Sequence, residues 1–168
     1  MLMKRLCCAL LALVAAACSP APEGEAPPSV IPVPQDLNAA QDLVRRIDVS
    51  LSQWQSGSTE LIDYSDERGR GGGELTFWYS NETVRKIEAT LPVEAATAHW
   101  QVYYTSTQAP FFAVYAEAVD GAEAPTAADT FVFLKDDAAH LGAARDPAVS
   151  LDEVRAFALQ LVQSVHQR

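Results

Sequence analysis

The chain has 168 residues, a formal net charge of −10 and 49% apolar residues. So acidic a body argues against nucleic acid as a partner and against a basic patch docking on anionic lipid. From Asp36 onward about 130 residues remain, enough for one domain with one core.

The first elements are a leader and a tether. Lys4 and Arg5 precede an apolar run, Leu6 to Ala17. That run is too short to span about 30 Å of hydrocarbon as a helix. A basic start, a short apolar stretch and small residues before a cut site describe a secretory signal. Ala15-Ala16-Ala17 leads directly into Cys18. This stretch resembles the lipobox of bacterial lipoproteins, with Ala15 where Leu is usual. The resemblance implies a signal peptide over 1–17, cleavage before Cys18, and lipid attachment on Cys18. It also implies a membrane partner held through that anchor, and Ser19 after the cysteine points to the outer membrane, facing the periplasm. Cys7, Cys8 and Cys18 are the three cysteines of the chain, so the mature body has no disulfide framework and no thiolate metal site. All acids follow Cys18, so loss of Lys4 and Arg5 moves the charge from −10 to −12. Residues 18–36, rich in proline, read as an extended lipid-anchored tether, and 37–168 as a single globular domain.

The body opens with an amphipathic helix. Ala40, Leu43, Val44, Ile47, Leu51 and Trp54 recur at helical spacing, which predicts a helix near 38–55. Asp36 or Asn38 can cap its start, and Gly57 suits its end. From about Gly73 to Gly142, β-type runs alternate with polar turns, the signature of hairpins in series. Five or six strands are expected, with Thr59 to Tyr64 able to add an edge strand. Trp78-Tyr79-Ser80-Asn81, Tyr103-Tyr104-Thr105-Ser106 and Val132-Phe133-Leu134-Lys135 each put bulky residues just before a turn. This pattern resembles the aromatic hairpins of uncharacterised secreted and lipid-anchored bacterial β-meander proteins, and it implies a fold without a function.

The last element is bounded most sharply. Ser150 and Glu153 have the spacing of a capping box, with Val149 and Val154 placed as a hydrophobic staple. Leu151, Val154, Phe157, Ala158, Leu161, Val162 and Val165 form the apolar stripe of a helix near 151–166. The expected architecture is therefore α+β: an antiparallel meander flanked by two amphipathic helices, both packed on one sheet face.

Chemistry is sparse. His99, His140 and His166 show no metal-ligand spacing, and no cofactor is implied. Arg68-Gly69-Arg70-Gly71-Gly72-Gly73 lacks the lysine and hydroxyl of a phosphate loop and reads as a connector. Asp63, Asp66 and Glu67 do not match a calcium loop, and Asp136-Asp137 suits a hairpin turn. No G-x-S-x-G elbow occurs. The sequence reading therefore favours a non-catalytic binding or envelope-accessory module. Its partner would be an envelope protein or a cell-wall component, met by exposed rings at Trp78, Tyr103 and Tyr104. The alternatives are a hydrolase-like enzyme whose acids and histidines converge only in the fold, or a structural spacer.

Overall fold

The computed structural model describes residues 27–61, 72–93, 96–119, 128–142 and 149–166. Asp36 starts helix α1 (Leu37–Ser50), its carboxylate accepting the amide of Ala39 at 2.9 Å. The helix ends earlier than its apolar spacing suggests. Leu51–Gln53 tightens into a 3-10 turn. In that geometry residues three apart share a face, so Leu51 and Trp54 stay on the core side without further α-helix. The chain can then turn directly into the sheet, and Gly57 lies in a strand.

The sheet has seven strands: β1 (Gln55–Glu60), β2 (Glu74–Ser80), β3 (Thr83–Val93), β4 (Ala96–Tyr104), β5 (Pro110–Val119), β6 (Ala128–Phe133) and β7 (Ala138–Leu141). Their spatial order follows the chain and all six pairings are antiparallel, so the architecture is an α+β meander. The strand count exceeds the expected five or six because β1 forms, starting upstream of the anticipated edge segment. Gly57 permits it: a side chain there would run into the Phe77 ring that lies across it. Asn81 and Glu82, both with positive φ, make the two-residue turn between β2 and β3. Arg85 is the extra residue of a bulge opposite Trp78 and Tyr79, and Phe111 of one opposite Tyr103 and Tyr104.

Helix α2 (Leu151–His166) covers one face. Its cap forms as the sequence indicates: the Ser150 amide donates to Glu153 Oε2 at 2.7 Å, and the Glu153 amide to Ser150 Oγ at 3.3 Å. Val154, Phe157, Ala158, Leu161 and Val162 pack on Leu75, Ile87, Ala89, Trp100, Val102, Ala113, Tyr115 and Phe131. Registered pairs place those strand residues on a single face. Helix α1 lies on the other face, where Ala40, Leu43 and Ile47 join Tyr103, Phe112 and Val132. The expectation that both helices share one face is thus corrected. The central strands end in unbroken apolar runs, Val102-Tyr103-Tyr104 and Phe131-Val132-Phe133, which put apolar side chains on both faces. One helix about 10 Å wide cannot cover both.

The end of the proline-rich stretch also belongs to this packing. Pro28, Ile31 and Pro34 are buried. Ile31 N donates to Ser106 Oγ and Ser106 N to Ile31 O, each at 2.8 Å, and Lys135 N donates to Pro34 O at 3.1 Å.

Candidate functional site

Tyr103 and Tyr104 are successive residues of one strand, so their rings leave the sheet on opposite sides. Tyr104 is fully buried and its hydroxyl donates to Ala158 O of α2 at 2.8 Å. Tyr103, 2% exposed, donates to the Asp48 carboxylate of α1 at 3.1 Å. Each tyrosine ties the sheet to a helix, and neither offers a ring to a partner. The expectation that they form an exposed aromatic patch is corrected: two helices, one on each face, cover both rings. Trp78 is half-buried and lies on the α1 side with Lys86 Nζ 5.6 Å from its ring centroid.

Around Trp78 and Tyr103 sits a group of charges that sequence reading missed. Lys86 Nζ is 3.0 Å from Asp48 Oδ1, 2.8 Å from Glu88 Oε1 and 5.1 Å from the Tyr103 ring. Its side chain is 6% exposed, while those of Asp48 and Glu88 are 42% and 40% exposed. Burial alone depresses the ammonium pKa. The hydrogen bonds to Glu88 and Asp48, and the field of Tyr103 and Asp48, outweigh that penalty and raise it above its ordinary value. Burial pushes the Tyr103 phenol up to about 12, partly offset by Lys86, and pushes Tyr104 well above its usual range. This cluster holds α1, and its single buried ammonium is met by two partly exposed carboxylates. One signal for it was visible: Lys86 sits in a strand between Val84 and Ile87, a position that needs a partner for the charge.

Arg85 is different. It is 2% exposed, donates to Ser106 Oγ at 2.8 Å and to Ser29 O at 3.2 Å, and leaves Nε without a partner. Burial lowers its pKa. Among the described residues no carboxylate meets it. Its role in the fold is to bind the proline-rich segment to the β4–β5 turn.

The histidines do not converge. His99 is exposed on the α1 side, while His140 lies on the α2 side, with the sheet between them. His140 Nε2 is 2.7 Å from Asp129 Oδ1, with side chains 17% and 15% exposed, and its ring tilts against Phe131 at 5.1 Å. Asp129 escaped sequence reading because only the β6–β7 register brings it to His140. His166 contacts Gln108 at 3.3 Å. Asp137 caps the Ala138 amide at 2.7 Å, a turn role as expected. Cys18, Asp63, Asp66, Glu67 and Arg68 to Gly71 lie outside the described residues. Among the described residues no three His, Cys, Asp or Glu side chains gather as metal ligands.

What remains accessible is part of the α1-side sheet face. Two cross-strand rows run past the end of α1: Ser58, Thr76, Glu88, Gln101, Val114, Thr130 and Leu141, then Glu60, Glu74, Thr90, His99, Ala116 and Ala128. Thr90, His99 and Gln101 are exposed although β3 and β4 are interior strands. The chain matches no family model, no curated protein and no solved structure, so no relative lends this face a function.

Proposed function

We propose that this chain is a bacterial lipoprotein, anchored through Cys18 to the outer membrane on its periplasmic side, whose domain is a non-catalytic binding module. The observation that carries the binding reading is the uncovered face of β3 and β4. Beyond the end of α1 these interior strands keep Thr90, His99 and Gln101 exposed, with Thr76 and Thr130 in the same rows and the exposed carboxylate of Glu74 beside them. That chemistry suits a polar envelope protein or cell-wall component bearing amino or guanidinium groups. Anchoring is read from Ala15-Ala16-Ala17-Cys18; among the described residues no helix is long and apolar enough to cross a membrane.

The test places a photo-crosslinking residue at Gln101 on this face or at Leu159, exposed on α2. In intact envelopes, Gln101 is expected to capture a discrete partner that Leu159 does not, and Glu74→Lys to reduce the yield. Equal capture from both positions, or none, would sink the reading. Cys18→Ala is expected to abolish lipid labelling and release the domain from membranes or stall its processing.

One observation favours an enzyme as the second reading. In the Asp129–His140 pair, a carboxylate orients an imidazole, half of a base-and-nucleophile device. His140→Gln that folds normally yet abolishes the cellular phenotype, with Gln101 capture intact, would replace the binder with the enzyme.

A further inference from the structure

The two outer strands of the sheet are finished differently. Leu61 N donates to Gly73 O at 2.8 Å, which continues the β1–β2 register one pair beyond its end. Hydrogen-bonded pairs alternate along an antiparallel ladder. Thr59, Gly57 and Gln55 therefore bond to β2, and Ser56, Ser58 and Glu60 turn their backbone groups to the open edge. Among the described residues nothing bonds the amides of Ser56 and Ser58. At β7 the same logic starts from Leu134 N donating to Asp137 O, and it turns Ala138 and His140 outward. There the Ala138 amide is already taken by the Asp137 side chain, and the strand is only four residues long. Edge strands are usually blunted by such caps, by lysine, by proline or by a bulge. β1, Gln-Ser-Gly-Ser-Thr-Glu, has no lysine, proline or bulge; the Thr59 hydroxyl reaches Glu60 O at 3.5 Å at its end, while Ser56 and Ser58 in its middle are exposed with their amides open.

We propose that β1 is a homotypic docking edge, at which a second copy of this chain adds its own β1 antiparallel and joins two seven-stranded sheets. The segment is self-complementary. Outward residues must face outward residues, so the two-fold axis falls at Ser58, pairing Ser58 with its copy and Ser56 with Glu60, or at Gly57, pairing Ser56 with Ser58. Neither register opposes Glu60 to its copy, so no like charges meet. The small side chains leave both faces of the junction clear, and the Phe77 ring already shields Gly57 on the α2 side. Ser58 and Glu60 end the cross-strand rows that carry Gln101 and His99, but the junction forms through backbone groups at an edge three strands from β4, so the dimer and the binding reading are tested separately.

The test uses the full chain purified in detergent. Density-matched sedimentation is expected to give a dimer for the wild type and half that mass for Ser58→Pro. Proline there removes an outward amide that β2 does not use, so the fold, checked by its melting transition, should persist. Ser58→Cys alone should crosslink above the wild-type background if the axis falls at Ser58, and an equal mixture of Ser56→Cys and Ser58→Cys if it falls at Gly57, because opposed Cα atoms about 5.5 Å apart suit a disulfide. Ser56→Cys alone should stay at background in both registers. Ala138→Cys, on the opposite edge, should not crosslink. A wild type that sediments as a monomer at every loading overturns the proposal, as does a dimer that Ser58→Pro leaves intact. In intact envelopes, crosslinking of Ser58→Cys to a different envelope protein, with no self-product either alone or when co-expressed with Ser56→Cys, also overturns it and assigns the edge to a foreign strand.

Discussion

Helix α2 adheres to its face of the sheet almost wholly by apolar contact, whereas α1 adds a charged cluster to a smaller apolar seam. On the α2 side Trp100 has Tyr115 and Phe157 at 4.6 and 4.8 Å, and the hydroxyl of Tyr104 makes a buried polar link to the helix. On the α1 side Lys86, Asp48, Glu88 and Tyr103 surround one another beside Ala40, Leu43 and Ile47. The difference teaches how one sheet can carry two helices of unequal grip. The apolar contacts that hold α2 carry no charge for salt to screen. The charged face has two carboxylates partly in water, so solvent conditions reach it.

The comparison breaks most sharply if α2 is removed. Deleting residues 150–168 strips Val154, Phe157, Ala158, Leu161 and Val162 from the sheet. Each large side chain contributes roughly 1.5–3 kcal/mol by burial, against a domain stability of about 5–15 kcal/mol. Aggregation or proteolysis of the truncated domain is the expected outcome, read by soluble yield and circular dichroism. Phe157→Ala alone should cost about 3–5 kcal/mol in urea unfolding.

Next in size are the tyrosines. Tyr103→Ala is expected to destabilise by about 3–5 kcal/mol, as a buried ring rather than a surface anchor. Tyr103→Phe and Tyr104→Phe each lose one hydrogen bond, worth about 0.5–1.5 kcal/mol. A melting temperature unchanged in Tyr103→Ala would contradict the burial of that ring.

Alkali should discriminate the faces. The folded Tyr103 phenol titrates at about 12, above its ordinary 10.0, so the fold favours the protonated form. Its contribution is intact below pH 10 and is lost as pH climbs toward 12. By linkage the loss is about 2–3 kcal/mol. Lys86, also shifted upward, acts in the same direction. A pH series of melting temperatures should fall through this window, and Tyr103→Phe should flatten part of the fall. A profile identical to wild type in that variant would remove Tyr103 from the account.

The smallest effect expected is at the cap and the ion pairs. Ser150→Ala should cost about 1 kcal/mol through the amide of Glu153. Lys86→Met should stay within roughly 1 kcal/mol of wild type, because a hydrophobic replacement avoids the cost of burying charge and leaves Asp48 and Glu88 their water. Asp48→Ala should be the worse of the two, since Lys86 then stays buried with one partner fewer.

Periodicity and caps are local properties, and the sequence by itself determined what depends on them. Helix α2 was legible to the residue, because Ser150, Glu153 and the stripe from Leu151 meet within a few turns. The meander was legible too, since hairpins join neighbours in the chain. Which side each helix takes was not legible. That choice follows from the apolar runs at Tyr103-Tyr104 and Phe131-Val132-Phe133 finding cover on both faces, a competition settled only when all seven strands are in register. The contacts that matter most for the sites join residues far apart in sequence: Lys86 with Asp48, Arg85 with Ser29 and Ser106, and His140 with Asp129 across a hairpin whose register no single strand reveals. Side-chain charge and polarity are written in the chain, but whether a group is buried, paired or left at an open edge depends on neighbours that only the tertiary structure supplies.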